Sequence, residues 1–259
     1  MWSVGGHSAK YCTYTMMDVN TQKVVDFEVI SVSQVANSNA MEKKGFIDVL
    51  DNIVDREIQV EGVSTDAHPQ ITKHMRVNVT DMNHHLDPWH TCKNMFKKLK
   101  AAAKKKHCTK LEIWIPSIVN HFWWSIQTCE GDEAKLKERW LSVTKHVVNQ
   151  HQWEGNVDFH KCEHGALAPE EERKKKWLKP GSPPHNELVK IANDTRFLKK
   201  LSLLTGNVHT TAIEVYHALY LKYLPKMTHF SHKAMVQGTK LVALDHNHNV
   251  GREQVNGFF

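Results

Sequence analysis

The stretch Gly62–His90, "GVSTDAHPQITKHMRVNVTDMNHHLDPWH", repeats one local pattern twice. A short run with strand character ends in an acidic residue, first at Asp66 and again at Asp87, and a helix start follows each acid. "IQVEGVST" predicts the first strand and "NHHL" predicts the second. In open α/β sheets, ligands bind beyond the carboxyl ends of the strands. The two acids are therefore candidate site residues.

The sequence upstream of this stretch predicts a hairpin and a helix. "KYCTYTMMD" (Lys10–Asp18) and "VVDFEVISVSQV" (Val24–Val35) are rich in β-branched and aromatic residues, which favours two antiparallel strands. "SNAMEKKGFIDVLDNIVDRE" spaces its apolar residues at helical intervals, with Ser38 or Asn39 as the cap. "HPQITKHMRVNV" adds a short helix, so the order is β-β-α-β-α-β, which predicts an α/β fold.

Beyond His90 the pattern becomes mainly helical, up to about Leu204. The most apolar segment, "WIPSIVNHFWWSI", carries Pro, Asn and His and is too short to span a bilayer, so we expect a buried helix and no membrane partner. The predicted organisation is a first core part at 1–90, a mainly helical insertion at 91–204 and C-terminal helices of the core at 205–259.

Composition gives weaker indications about partners and compartment. The 259 residues carry a formal net charge of +6, which is compatible with a polyanionic partner. Lysine runs such as "KKLKAAAKKKH" and "RKKKWLK" suit phosphate contacts, although a solvated helix face explains any single run better. The 5 cysteines are odd in number and widely spaced, which favours a reducing intracellular compartment over a disulfide framework. Met1–Gly6 lacks the features of a secretory signal.

Each candidate acid also has a purely structural interpretation. Asp66 could bind a metal at the strand end or cap the following helix, and the Asp87-Pro pair is a strong helix-start signal. His90 would lie in that first turn, where it could orient a carboxylate, contact phosphate or simply pack. Glu214 borders a stripe of apolar and aromatic residues on a predicted helix, and a solvated glutamate is the default there.

"FHKCEH" places His160, Cys162 and His164 at alternate positions. In an extended segment all three side chains would face one way, and His151 or Cys129 could complete a zinc site. The spacing matches no standard zinc finger, so a loop that contains these residues without a metal is the alternative interpretation.

Several longer motifs carry a resemblance to a known family. The sequence resembles the catalytic region of a transposase-derived family found in many animal genomes, which is similar in turn to bacterial insertion-sequence transposases with a D-x-H…D-P-[FW]-H signature. The resemblance covers nearly the whole chain and rests on these motifs: "GHSAKYCTYTMMD", "STDAH", "LDPWH", "NHFWW", "HVVN", "KWLKPGSPPH", "EVYHALYLKYLPK" and "LVALDHN".

The resemblance implies a ribonuclease-H-like mixed sheet with a large helical insertion and a DDE active site that cleaves and transfers DNA strands. Three carboxylates of such a site hold two divalent ions, Mg²⁺ or Mn²⁺. Asp66 matches the second acid and Glu214 the third, while Asp87 and His90 match the D-P-W-H signature in a supporting role. A DNA partner and a nuclear location follow from the resemblance, and a homo-oligomer is left open.

The sequence departs from the family at the first acid. "MWSVGG" holds no acid where relatives have one, and the nearest alternative is Asp18 at the hairpin turn. We therefore expect impaired strand transfer. A start further upstream, a decayed copy, or a domain retained for DNA or protein binding without catalysis would each explain the departure. A nuclease that cuts without joining is a further alternative.

Overall fold

The computed structural model describes residues 10–165, 168–206, 208 and 210–252. The chain divides into two compact units. The hairpin unit comprises Met1–Val63, His68–Asn83 and Thr210–Phe259, and the helical unit comprises Ser64–Ala67 and His84–His209. The insertion expected at 91–204 lies within the helical unit, which also includes the residues just before and after it.

The hairpin unit begins with the two predicted antiparallel strands. β1 spans Tyr11–Met17 and β2 spans Val24–Ser31, paired from Tyr11 opposite Ser31 to Met17 opposite Val24. A 3-10 turn at Val32–Gln34 follows β2. The prediction of a hairpin is confirmed, and β-branched and aromatic residues fill both strands as expected.

Helix α1 spans Ser38–Asp55 and packs on both strands of the hairpin. Its cap is Asn37, whose side-chain oxygen accepts a hydrogen bond from the Ala40 amide, so the expected cap at Ser38 or Asn39 was one or two residues late. Phe46 and Leu50 of α1 are buried in a small core of this unit. Their spacing of one helical turn is the signal that predicted the helix.

The stretch Gly62–His90 contains the predicted strand, helix and strand. β3 spans Gly62–Thr65, α2 spans Pro69–Asn78 and β4 spans Asn83–Leu86. The amide of Asn83 donates to the carbonyl of Glu61 and the amide of Asp87 donates to that of Thr65, so the pairing advances in the same direction along both strands, which are parallel.

The described strands form two separate pairs, β1 with β2 and β3 with β4, where a single mixed sheet was expected. The α/β class is shown by the mixture of strands and helices. β3 and β4 have four residues each, and the boundary between the two units passes through both strands. Strands this short offer few ladder hydrogen bonds for further pairing.

The helical unit holds the largest hydrophobic core. Its helices are α3 (Pro88–Ala103), α4 (Lys110–Thr128), α5 (Glu133–Leu141), α6 (Val143–His146), α7 (Pro169–Lys174), α8 (Pro183–Ala192) and α9 (Thr195–Leu201), with a 3-10 turn at Ser202–Leu204. The apolar segment lies in α4, where Ile118 and Phe122 are fully buried, as predicted. Among the described residues, no helix is both long enough and apolar enough to cross a bilayer.

Two further helices complete the hairpin unit. α10 spans Thr211–Tyr223 and α11 spans His232–Asn249. Tyr216 and Tyr220 of α10 are buried against α11. The aromatic stripe predicted for this helix is thus partly buried, whereas Tyr223 at its end is exposed.

Candidate functional site

Asp66 and Asp87 follow the ends of two neighbouring strands. β3 ends at Thr65 and β4 ends at Leu86, and the Asp87 amide donates to the Thr65 carbonyl over 3.0 Å. Because parallel strands end at the same edge, the two carboxylates are brought to one place.

His90 bridges the two carboxylates. Its Nδ1 atom lies 3.0 Å from Asp66 Oδ1 and 3.0 Å from Asp87 Oδ2. The other oxygen of Asp87 accepts a hydrogen bond of 2.9 Å from the Trp89 amide, which caps α3. Asp87 therefore serves both as the predicted cap and as a member of the cluster.

The members of the cluster differ in exposure and charge. The side chain of Asp87 is 4% exposed and that of Asp66 is 44% exposed. Hydrogen bonds to Asp66 and then to Asp87 raise the pKa of His90 to about 9, against the opposing effect of burial. At neutral pH the imidazolium balances one of the two carboxylate charges, and the cluster keeps an excess negative charge.

These three side chains could hold a metal ion, because one ligand atom from each lies within 4.8 Å of the others. The two carboxylate oxygens suit Mg²⁺ and Mn²⁺, whereas His90 is an imidazolium at neutral pH and would bind a metal only after losing its proton. The donor set thus fits a hard divalent cation.

A partly buried histidine supports the same strand end. The Nε2 atom of His84 in β4 lies 2.9 Å from the Thr65 hydroxyl oxygen, and that hydroxyl donates to the Asp66 carbonyl. Burial lowers the pKa of His84 to about 4, so its ring is neutral at physiological pH. Sequence reasoning did not single out His84, although it lies within the predicted strand "NHHL".

Helix α3 presents an aromatic and basic stripe that starts at the cluster. Trp89 is 48% exposed and packs edge-on against His90, with ring centroids 4.8 Å apart. The Lys93 ammonium lies 4.5 Å from the centre of the Trp89 indole, and Phe96 is exposed one turn further on. Helical spacing places the members on one face. We call them the α3 stripe: Trp89, Lys93, Phe96, Lys97 and Lys100.

The other two candidate acids lie in the hairpin unit. Asp18 accepts hydrogen bonds from the hydroxyl and the amide of Thr21, which close the turn after β1, and these bonds lower the pKa of its carboxyl. Glu214 is an exposed residue of the first turn of α10. Within the described ranges, neither acid belongs to a group of three or more potential metal ligands.

A second group of potential ligands lies elsewhere in the helical unit. It includes Cys162 and His164, as expected, together with His151, one of the two residues suggested as a fourth ligand. Its remaining member is His146, which sequence reasoning missed. The spacing His-x₄-His in "HVVNQH" was the available signal, because the second histidine of that pair was already a candidate.

The structure does not bring His160 or Cys129 into this group. His160 is exposed, and its Nε2 atom contacts the Val157 carbonyl. The segment forms a single β-bridge at Lys161 and bends at residues 163–164, so it is not one extended strand and the expected alternation does not apply along it. Cys129 is fully buried and its thiol donates to the Ile126 carbonyl.

No protein-family model, curated protein or solved structure matches this chain at a significant level. The geometry of the two ligand groups and the surfaces around them are therefore the basis for a functional proposal.

Proposed function

We propose that the chain is a transposase-derived domain of ribonuclease-H-like ancestry whose Asp66–Asp87–His90 cluster is a metal-dependent phosphoryl-transfer site for DNA. One observation carries the proposal: two carboxylates from the ends of adjacent parallel strands converge within 3.0 Å of the same imidazole nitrogen. Carboxylates at such an edge are what hydrolytic or strand-transferring sites of this class use to hold divalent ions.

The three residues of the cluster would have different roles, which follow from their exposure. Asp87 is buried and fixed by the Trp89 amide, so it offers a rigid ligand oxygen. Asp66 is more exposed and would face incoming DNA. His90 holds the two carboxylates together and orients them. When bound, Mg²⁺ or Mn²⁺ would polarise a phosphate oxygen and lower the pKa of a bound water or hydroxyl.

Because the sequence has no acid where the family has its first one, we still expect strand transfer to be impaired. The Thr21 hydrogen bonds give Asp18 a structural role in the hairpin turn, which supports this expectation. The alternative function is a non-catalytic DNA- or protein-binding module on the same fold. The α3 stripe favours DNA as the partner in either case, because exposed aromatic rings interleaved with lysines suit stacked bases and phosphates.

We expect Asp66→Asn to weaken Mn²⁺ binding to this cluster by at least about 10-fold, because a neutral amide replaces a charged ligand. Isothermal titration calorimetry with MnCl₂ measures the change. Asp66 is partly exposed, so the variant should fold, and circular dichroism verifies this.

Asp81→Asn is the matched control, since Asp81 is an exposed acid outside both described groups of ligands. Equal Mn²⁺ affinity in the wild type and in Asp66→Asn would contradict the metal site. Loss of affinity, with plasmid nicking that depends on Asp66, would support catalysis; loss without nicking would favour the binding module.

We expect Trp89→Ala to weaken binding of a fluorescein-labelled oligothymidylate by about 1–3 kcal/mol, the usual contribution of one stacked base. Lys93→Ala should reduce the slope of log affinity against log salt by about 0.7, since one phosphate contact is lost. Fluorescence anisotropy at several salt concentrations measures both effects.

Lys190→Ala removes an exposed lysine on α8 and serves as the control for nonspecific charge. If this control weakens binding as much as Lys93→Ala does, the α3 stripe is not the DNA-binding face. Unchanged affinity in Trp89→Ala would rule out base stacking on that ring.

A further inference from the structure

Four potential ligands converge between the end of α6 and the loop 151–164. His146 is the last residue of α6, and the other three lie on the loop. The loop folds back on itself through a β-bridge between Gln152 and Lys161, and the Cys162 amide donates to the His151 carbonyl over 3.0 Å. This return of the chain brings residues that are distant in sequence to one point.

The distances between the ligand atoms match a tetrahedral zinc site. His146 Nδ1 lies 3.4 Å from His164 Nε2 and 3.5 Å from Cys162 Sγ. A tetrahedron built on ordinary zinc–nitrogen and zinc–sulfur bonds has edges of about 3.4 Å between two nitrogens and about 3.6 Å between nitrogen and sulfur. The four ligand atoms, including one from His151, lie within 4.8 Å of one another.

Two of the three imidazole rings are oriented by contacts on their outer sides. The Nε2 atom of His151 lies 3.0 Å from the side-chain oxygen of Asn149, and His164 Nδ1 lies 2.8 Å from the Gly165 carbonyl. If each outer nitrogen carries the proton and donates it, the inner nitrogen has a free lone pair for a metal. Such outer hydrogen bonds are the usual accompaniment of metal-binding histidines.

The fourth candidate ligand atom belongs to His151. His151 Nδ1 is buried and has no hydrogen-bond partner among the described residues. A buried nitrogen without a partner costs free energy unless a ligand satisfies it. The Trp177 ring, with its centroid 5.7 Å from that of His151 and 5.9 Å from that of His146, limits the space on this side.

We propose that His146, His151, Cys162 and His164 bind one structural zinc ion. Three imidazoles and one thiolate are nitrogen and sulfur donors of the kind that zinc prefers, and four protein ligands leave no open position for substrate. The ion would fasten the loop 151–164 to the end of α6. This inference is independent of the proposed phosphoryl-transfer function, because the two groups share no residue.

The first test is the metal content of the purified full chain by mass spectrometry, followed by Co²⁺ substitution. We expect one zinc per chain, and a cobalt form with tetrahedral visible bands and a thiolate-to-cobalt absorption. Cys162→Ser should abolish the thiolate band and weaken metal affinity by about 10-fold or more, as loss of a ligand should exceed loss of an outer-shell partner.

His160→Ala is a closely matched control, because it removes a neighbouring histidine that points away from the group. It should retain one zinc per chain and the full cobalt spectrum. Zinc-free wild-type protein that neither binds added zinc nor changes its melting temperature would overturn the proposal, as would an unchanged cobalt spectrum in Cys162→Ser. Loss of zinc in His160→Ala equal to that in Cys162→Ser would overturn the ligand set.

Discussion

Replacing Trp140 by alanine should lower the free energy of unfolding of the helical unit by about 3–5 kcal/mol, the range for removing a large aromatic side chain from a core. Trp140 is fully buried, with ring centroids 5.3 Å from Phe197 and 5.8 Å from Phe122. Its indole nitrogen also donates to the Ala192 carbonyl over 3.1 Å, and that carbonyl would lose its partner.

Urea denaturation followed by tryptophan fluorescence measures this change, because seven of the 8 tryptophans belong to the helical unit. Trp140→Phe keeps most of the packing and loses the hydrogen bond, so we expect a loss of about 1–2 kcal/mol. Trp89→Ala removes an exposed indole from the same unit and should cost less than about 1 kcal/mol. A loss below about 1 kcal/mol in Trp140→Ala would contradict the arrangement of this core.

Acid should destabilise the helical unit through His121. Burial, and to a smaller extent the nearby Arg139 guanidinium, lower the pKa of His121 from 6.5 to about 4, although hydrogen bonding to the Arg139 carbonyl opposes this. Between these pH values the unfolded chain binds a proton that the folded chain does not. The contribution is therefore fully present above about pH 6.5 and is lost as the pH falls toward 4, with a total of about 3 kcal/mol.

His121→Gln should remove this part of the pH dependence while retaining an N–H donor at the site. His84, whose pKa is also lowered to about 4 by burial, contributes a second slope, so the difference between the wild type and the variant isolates His121. Free energies of unfolding measured from pH 7 to pH 4 provide the comparison, and His160→Gln is the control for loss of a histidine at the surface. Identical slopes in the wild type and His121→Gln would show that His121 does not resist protonation in the fold.

Local signals accounted for the elements that position the candidate active site. β-branched and aromatic runs predicted β1 and β2, helical spacing predicted α1 and α2, and the Asp87-Pro pair predicted the start of α3. Each of these signals acts over a few residues, within the reach of one turn, one cap or one strand. The location of Asp66 and Asp87 at strand ends followed from them directly.

The meeting of specific side chains depended on tertiary structure. The sequence favoured His160 as readily as His164, yet the His160 ring contacts the Val157 carbonyl and is not one of the four grouped ligands. His146 joins the group because the chain returns through the bridge between Gln152 and Lys161. Alternation along a sequence places side chains correctly only when the segment is extended, which packing decides.

By itself, the sequence determined the α/β class, the order of the first strands and helices, the burial of the apolar helix α4 and the carboxylates at two strand ends. Tertiary structure alone decided that the strands pair as two separate sheets and that His146 completes a group of four ligands. The physical reason is the distance along the chain over which each kind of interaction acts. Propensity, capping and periodicity act between near neighbours, whereas a binding site requires atoms far apart in the chain to meet within a few ångströms, and core packing and long-range hydrogen bonds fix that path.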